Sequence, residues 1–251
     1  MQESPKKIKI AVSLPGGGLR AFAYLGALRA LKENDFEIEA IYGSSGGALI
    51  GAFYLMDLDF KKAFKHVSGP IWYLALIKRI FRFKLARLLK GKKIEDLPVP
   101  LFLQTINLNG GKVEVIEKGS LADYLIATSN QAIYSPFKYK GGKYIDGGLI
   151  GSYGTKFLRE KGFKNIVALN VGDTKTIKIG FVSQLQMVLN LTMQEHLNKD
   201  AQINPPDYLI NNLANDINSM SPFGPEKKID SGYQRTMEHI AILKQILLAK
   251  Q

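Results

Sequence analysis

The chain has 251 residues, 46% of them hydrophobic, which is enough for one domain with a buried core. It contains no cysteine, which excludes disulfides, cysteine–zinc sites and thiol catalysis. Its 34 Lys and Arg against 22 Asp and Glu give a net charge of +12, which favours an anionic partner such as nucleic acid or an anionic membrane surface.

The N-terminal part predicts strands and helices that alternate across glycine-rich loops. Residues 8–14 predict a buried strand, and residues 19–31 predict a helix after the loop at 15–18. A second strand is predicted at 38–42 and a second helix at 46–56. This repeated order is typical of a parallel α/β sheet, in which ligands bind at the carboxyl ends of the strands, where both loops lie.

The rest of the chain predicts shorter elements. The patterns indicate a basic helix at 60–66 and a hairpin around Asn109-Gly110-Gly111. Beyond the hairpin they predict helices at 121–127, 153–161, 181–199 and 232–249, strands at 143–145, 165–171 and 207–210, and a loop at 219–230.

The second glycine-rich loop carries a candidate nucleophile. Gly43-Ser44-Ser45-Gly46-Gly47 fits Gly-x-Ser-x-Gly, with Ser45 at the centre between a strand and a helix. Such a turn exposes a serine hydroxyl, and its crowded backbone requires glycine at the flanking positions, here Gly43 and Gly47. The structural alternative is a glycine turn that lets a helix pack closely, with Ser44 as a helix cap.

The first glycine-rich loop carries candidate anion-binding groups. Gly16, Gly17 and Gly18 end the first strand, so backbone N–H groups there can approach a ligand and form an oxyanion hole. Arg20 could support the anion. A phosphate-binding loop is the alternative, although Ala21 breaks the Gly-x-Gly-x-x-Gly pattern.

A serine nucleophile also needs a base. The three histidines are His66, His196 and His239, and none of them follows a strand in a glycine-rich loop. Asp146, in Asp146-Gly147-Gly148, does follow a predicted strand, although Asp-Gly alone is also a common turn. A Ser-His-Asp triad completed by His196 or His239 therefore stays open, because triad partners meet in space and not in sequence.

Taken together, the three motifs resemble the patatin-like phospholipase family. The similarity extends through GGGLRAFAYLGALRALKE, IYGSSGGALIGAFY and LIATSNQAIYSPFKYKGGKYIDGGL, roughly over residues 8–171. The resemblance implies a three-layer α/β/α sandwich with a mainly parallel central sheet. It also implies a dyad of Ser45 as nucleophile and Asp146 as base, with Gly17, Gly18 and Arg20 at the oxyanion hole.

One stretch departs from the family pattern. Leu149-Ile150-Gly151-Ser152-Tyr153 follows Asp-Gly-Gly, where the family often has Asn-x-Pro. A catalytically weak lipid-binding or regulatory module of the same fold is therefore an alternative to an active enzyme.

Residues 72–90 predict a basic amphipathic helix. Its predicted apolar face is formed by Leu74, Ile77, Phe81, Leu85 and Leu88, with Arg79, Arg82, Arg87 and Lys90 mostly away from it. Such a helix is typical of a membrane-facing segment, and equally of a cap packed on the core with its charges in water.

The sequence thus predicts a single domain over residues 1–251, with 69–91 as a cap or membrane-facing segment. We expect a serine carboxylic-ester hydrolase acting on phospholipid or other acyl lipids, with no cofactor and no metal. An anionic membrane surface is the expected partner and nucleic acid is not, because no RNA- or DNA-reading motif stands out. The sequence leaves the oligomeric state open. Neither a secretory signal nor a spanning helix is predicted, which points to a cytoplasmic protein with peripheral membrane contact.

Overall fold

A computed structural model describes residues 7–58, 74–131, 134–172, 181–214 and 225–250, and the backbone alone for 74–79 and 181–187. The predicted helix at 60–66, with His66, lies outside the described residues. The strands are β1 Ile8–Leu14, β2 Phe36–Gly43, β3 Leu101–Asn107, β4 Lys112–Ile116, β5 Phe137–Tyr139, β6 Gly142–Asp146, β7 Ile166–Leu169 and β8 Tyr208–Ile210. The helices are α1 Phe22–Glu33, α2 Ser45–Leu55, α3 Leu74–Leu88, α4 Leu121–Thr128, α5 Thr155–Glu160, α6 Phe181–Ile203 and α7 Pro225–Leu248.

The eight strands form one sheet, with the order β5-β6-β3-β2-β1-β7-β8 and with β4 also paired to β3. The pairs among β8, β7, β1, β2 and β3 are parallel, and those that involve β4, β5 and β6 are antiparallel. The described sheet is therefore mainly parallel at its centre, as predicted.

Helices cover both faces of this sheet. Alternate β1 side chains such as Ile10 and Val12 pack in the larger core with α1, α2, α3, α4 and α7. Ala11, between them, points to the opposite face, where α5 covers a smaller cluster. A third cluster joins Tyr153 and Ala168 to α6. The fold is thus the predicted three-layer α/β/α sandwich.

Strand β3 connects the two halves of the sheet. Leu103 to Asn107 pair with β4 along one edge, so β2 and β6 must share the other edge. Gly43, the last residue of β2, pairs with Leu103, and Asp146, the last residue of β6, pairs with Thr105. The carboxyl ends of β2 and β6 therefore meet beside the middle of β3.

Helices α1 and α7 pack with their backbones in close approach. A Cβ at Gly26 would lie 1.8 Å from the Ile229 carbonyl oxygen, and a Cβ at Gly232 would lie 1.9 Å from the Ala23 carbonyl oxygen. Each helix thus presents a glycine to the other's backbone. This contact fixes the C-terminal helix against the helix that follows the first glycine-rich loop.

The main departures from the predicted elements are the starts of two helices and one unpredicted strand. Helix α7 begins at Pro225, so the predicted loop is wrong for 225–230; the proline occupies the first helical position, where its missing N–H costs nothing. The predicted helix at 19–31 opens with a 3-10 turn over Gly18–Ala21 before α1 begins. Strand β5 was not predicted, because three residues after a proline carry little periodic signal.

Helix α3 packs only part of its predicted apolar face on the core. Phe81 packs against the core and Leu85 is buried, as predicted, but Leu88 is 46% exposed. The side chains of Leu74 and Ile77 lie outside those described. Within the described residues, no helix combines the length and apolarity that crossing a bilayer requires.

Candidate active site

Ser45 lies in a sharp turn between β2 and α2. Its φ of +51° is in the left-handed region, which a residue with a side chain rarely adopts. A Cβ at Gly47 would lie 1.9 Å from the Leu14 carbonyl oxygen, and one at Gly43 would lie 2.9 Å from the Ala48 Cα. Both flanking glycines are therefore required by close backbone approach, as the motif predicts.

Ser44 does not act as the helix cap that the structural alternative required. It occupies the N-cap position of α2, but its side chain makes no capping hydrogen bond. Its Oγ is buried and has no hydrogen-bond partner among the described residues. The Ser45 backbone N–H instead donates to Thr128 Oγ1 at 3.1 Å, which fixes the turn against α4.

Ser45 and Asp146 are hydrogen-bonded. Ser45 Oγ donates to Asp146 Oδ2 at 2.7 Å, and the Gly148 N–H donates to Asp146 Oδ1 at 2.8 Å. Asp146 is buried, with 7% of the residue exposed. Burial raises its pKa to about 6, against the opposing effect of the two hydrogen bonds.

The glycines of the first loop lie beside this pair. A Cβ at Gly16 would stand 3.4 Å from Ser45 Cβ, and one at Gly148 would stand 3.5 Å from it. Gly18 has a φ of +54° and open space around its Cβ position. In the part of the chain that the structure describes, the N–H groups of Gly17 and Gly18 have no acceptor, which leaves them available to a ligand oxygen.

Arg20 is buried rather than directed into solvent. Its side chain is 2% exposed, and Nη1 donates to the Gly172 carbonyl at 2.6 Å. The Tyr24 hydroxyl donates to the Pro15 carbonyl at 3.0 Å, so α1 contacts the start of the glycine loop. Arg20 thus ties this loop to the residues that follow β7.

Gln104 supports the loop after Asp146, and sequence reasoning missed it. Its Nε2 donates to the carbonyls of Gly147, at 2.7 Å, and Ile150. Its Oε1 accepts from the Tyr42 hydroxyl at 2.6 Å, and its backbone carbonyl accepts from Thr128 Oγ1. The signal in the sequence was an amide inside the apolar run of β3, since a buried amide must find partners.

Asn130 supports the other side of Asp146. Its carbonyl accepts the Asp146 N–H at 2.8 Å, and its Nδ2 donates to the Tyr144 carbonyl at 3.1 Å. Arg82, on α3, donates to Asn130 Oδ1 at 2.7 Å. The amphipathic helix is thereby connected to the residue that holds the β6 end.

Helix α6 contacts both the stretch that follows Asp146 and the first glycine-rich loop. Asp200 Oδ2 accepts from the Tyr153 N–H at 2.7 Å and from Ser152 Oγ at 3.0 Å. Met193 Sδ would lie 3.3 Å from a Cβ at Gly16, so this buried side chain packs at the glycine loop. No local motif marks these two residues, because they belong to a distant helix.

The two described histidines make no hydrogen bond to Ser45 or Asp146. His239 shares a hydrogen bond of 2.8 Å with the Tyr208 hydroxyl at the far end of the sheet, and His196 is exposed on α6. Among the described residues, no group of three His, Asp or Glu side chains could hold a metal ion.

The fold and the site together define an α/β protein with a serine–aspartate pair at the carboxyl edge of a mainly parallel sheet. The family model described as patatin-like phospholipase matches residues 12–76. This match confirms the resemblance to the patatin-like phospholipase family that the sequence motifs indicated.

Curated proteins with names typical of this family are similar in sequence to the chain. Patatin-like phospholipase domain-containing protein 6 of Homo sapiens is 29% identical over 182 residues, which cover 65% of this chain and 13% of that protein. Lysophospholipase NTE1 of Cryptococcus neoformans is 27% identical over 181 residues, 65% of this chain and 11% of that protein. The match thus spans about an eighth or less of these relatives' length. The crystal structure of VipD from Legionella pneumophila aligns with a TM-score of 0.49 at 13% identity, over 95% of this chain and 67% of that one.

Proposed function

We propose that the chain is a serine lipid acyl hydrolase that uses a Ser45–Asp146 dyad. The observation that carries the proposal is the 2.7 Å hydrogen bond from Ser45 Oγ to the buried carboxyl of Asp146. The names of the relatives, phospholipase and lysophospholipase, support an acyl-ester lipid as substrate. This substrate class is therefore also proposed, and it is inferred from those names alone.

In the first half of the reaction, Ser45 Oγ attacks the ester carbonyl carbon while its proton passes to Asp146 Oδ2. The carbonyl oxygen becomes an oxyanion, which the N–H groups of Gly17 and Gly18 stabilise. The C–O bond to the alcohol then breaks, and the leaving alcohol takes the proton from Asp146. The products are the alcohol and an acyl ester on Ser45.

In the second half, water attacks the acyl carbon and gives a proton to Asp146. A second oxyanion forms at the same N–H groups and collapses with Ser45 as the leaving group. Asp146 returns its proton to Ser45 Oγ, and the fatty acid is released. A carboxyl whose pKa is raised to about 6 is a stronger base than an exposed aspartate, while it stays mostly ionised at neutral pH.

Three alternatives receive less support. The weak lipid-binding module rested on the missing Asn-x-Pro, but Gln104 holds the carbonyls of Gly147 and Ile150 in that stretch. The triad alternative lacks a contact, since neither His196 nor His239 hydrogen-bonds to the pair in the described structure. The nucleotide alternative leaves unexplained why the glycine loop lies against Ser45.

The test is labelling of the purified protein with a fluorophosphonate, which forms a bond with an activated serine. We expect labelling of the wild type to fall by at least 100-fold in Ser45→Ala and Asp146→Ala. The wild-type rate should also decrease as the pH drops through about 6, because protonated Asp146 accepts no proton.

Ser44→Ala is the matched control, because it changes the neighbouring serine and should keep the wild-type rate. His196→Ala and His239→Ala should also keep it. Loss of labelling in either histidine variant, with Asp146→Ala still labelled, would overturn the dyad in favour of a triad.

A further inference from the structure

The outer face of helix α3 combines apolar and basic residues. Ile80, Phe83 and Leu88 are 40%, 67% and 46% exposed. Lys84 and Arg87 lie on the same side, since positions three and four apart share a helix face. We call these five residues the outer face of α3.

This outer face is separate from the face that packs on the domain. Leu85 and Leu89, which point the other way, are 3% and 1% exposed and belong to the main core. The burial of α3 therefore does not explain why three large apolar side chains stay in water. Singly exposed apolar residues need no explanation, but a strip of them along one helix marks an interaction surface.

The charge of the outer face indicates which partner covers it. An apolar strip flanked by Lys and Arg suits the interface of an anionic bilayer, where side chains such as Phe83 enter the acyl region and the cations contact headgroups. A second copy of this chain would bring like charges together. A nucleic acid would leave Ile80 and Leu88 without an apolar contact.

Helix α3 is also connected to the candidate active site. Arg82, on its inner side, donates to Asn130 Oδ1 at 2.7 Å and lies 5.3 Å from the centre of the Phe137 ring. The Asn130 carbonyl in turn accepts the Asp146 N–H. The outer face thus belongs to a helix that is linked to the proposed base, Asp146, through a single intervening residue, Asn130.

From these observations we infer that the outer face of α3 docks on an anionic phospholipid bilayer and holds the Ser45–Asp146 pair close to the lipid surface. The role of this docking in catalysis rests on the proposed lipid hydrolase function. The docking itself is a binding property. It can therefore be measured without any turnover.

The test is flotation of the full chain with vesicles of phosphatidylserine and phosphatidylcholine in equal amounts, and with pure phosphatidylcholine vesicles. We expect wild type to bind the anionic vesicles, and less so as salt is raised. Phe83→Ser should weaken binding about tenfold through lost apolar contact. Arg87→Glu should weaken it about thirtyfold, since two charge units change at the surface.

Matched controls lie on the distant helix α7. Ile242→Ser replaces an apolar side chain that is 51% exposed, and Lys227→Glu reverses an exposed charge; both should bind as wild type does. Phe83→Ser and Arg87→Glu should keep the wild-type rate of fluorophosphonate labelling in solution. That readout separates a failure of docking from a failure of the hydrolase proposal.

Three results would overturn the inference. The first is that Phe83→Ser binds vesicles as well as wild type does. The second is that the α7 controls lose as much vesicle binding as the α3 variants do. The third is that wild type binds no vesicles but self-associates, and that Phe83→Ser abolishes this self-association. The first would indicate a purely electrostatic contact, the second a diffuse charge effect, and the third a second copy of the chain as the occupant.

Discussion

The Asp146 carboxyl is held under opposing influences. Burial disfavours its charge and raises its pKa to about 6, while the Ser45 hydroxyl and the Gly148 N–H favour the charge. In the unfolded chain the ordinary pKa of 3.8 applies, so the unfolded chain loses this proton first as the pH rises. Between about pH 4 and pH 6 the folded protein binds more protons, and its stability decreases with rising pH.

Asp146→Asn should therefore stabilise the protein at neutral pH while abolishing fluorophosphonate labelling. The pKa change from 3.8 to about 6 corresponds to about 3 kcal/mol, so we expect a gain of about 1–3 kcal/mol. The gain should be small at pH 4, grow up to about pH 6 and stay constant above it. Urea unfolding at several pH values measures this, and a gain that is independent of pH would contradict it.

At the scale of single elements, β3 does more than add a strand to the sheet. Gln104 holds the carbonyls of Gly147 and Ile150, and its own carbonyl accepts from Thr128, which holds the Ser45 N–H. One residue thus supports the turns on both sides of the candidate dyad. Its amide lies buried with every group paired in this network.

Gln104→Leu should destabilise the protein by about 2–4 kcal/mol, because the carbonyls of Gly147 and Ile150 and the Tyr42 hydroxyl each lose their hydrogen bond to this buried amide. Fluorophosphonate labelling should also slow, since the loop after Asp146 loosens. Tyr42→Phe is the graded control, because it removes one hydrogen bond of the same network and should cost about 1 kcal/mol. Equal losses in the two variants, measured by urea unfolding, would argue against Gln104 as the central support.

At the scale of the whole molecule, the C-terminal helix α7 packs directly against the first helix, α1. Gly26 and Gly232 allow α1 and α7 to approach until a Cβ on either would overlap a carbonyl of the other. Since α1 also carries Tyr24, which holds the Pro15 carbonyl, this contact lies behind the glycine loop. The last helix in the sequence therefore supports the first loop of the site.

Gly26→Ala and Gly232→Ala should each destabilise the protein by about 3 kcal/mol or more, because the two backbones must separate to admit a methyl group. We expect a lower thermal midpoint and slower fluorophosphonate labelling in both. Gln234→Ala, on the exposed side of α7, is the matched control and should remain within about 0.5 kcal/mol of wild type. Wild-type stability of Gly232→Ala would show that the helices can repack.

The sequence predicted the parts of the fold and of the candidate site that depend on local chemistry. Glycine spacing around Ser45 and after β1, and the alternation of strands and helices, are local and were sufficient for the fold class. Gln104, Asn130 and Asp200 were missed because their partners are distant in the chain. The exposure of Leu88 was also missed, since helical spacing identifies neighbours on a face but not how far around the helix the core extends.

The meeting of β2 and β6 along one edge of β3 also bears on how this protein could be rebuilt. The distance between Ser45 and Asp146 is set by the register of their strands on β3, not by the length of chain between them. The β3–β4 turn at Asn109-Gly110 lies beyond that register, at an exposed tip. A foreign domain inserted there would lengthen the chain between the two residues without moving either, which makes this turn a suitable place to couple a sensor module to the candidate site.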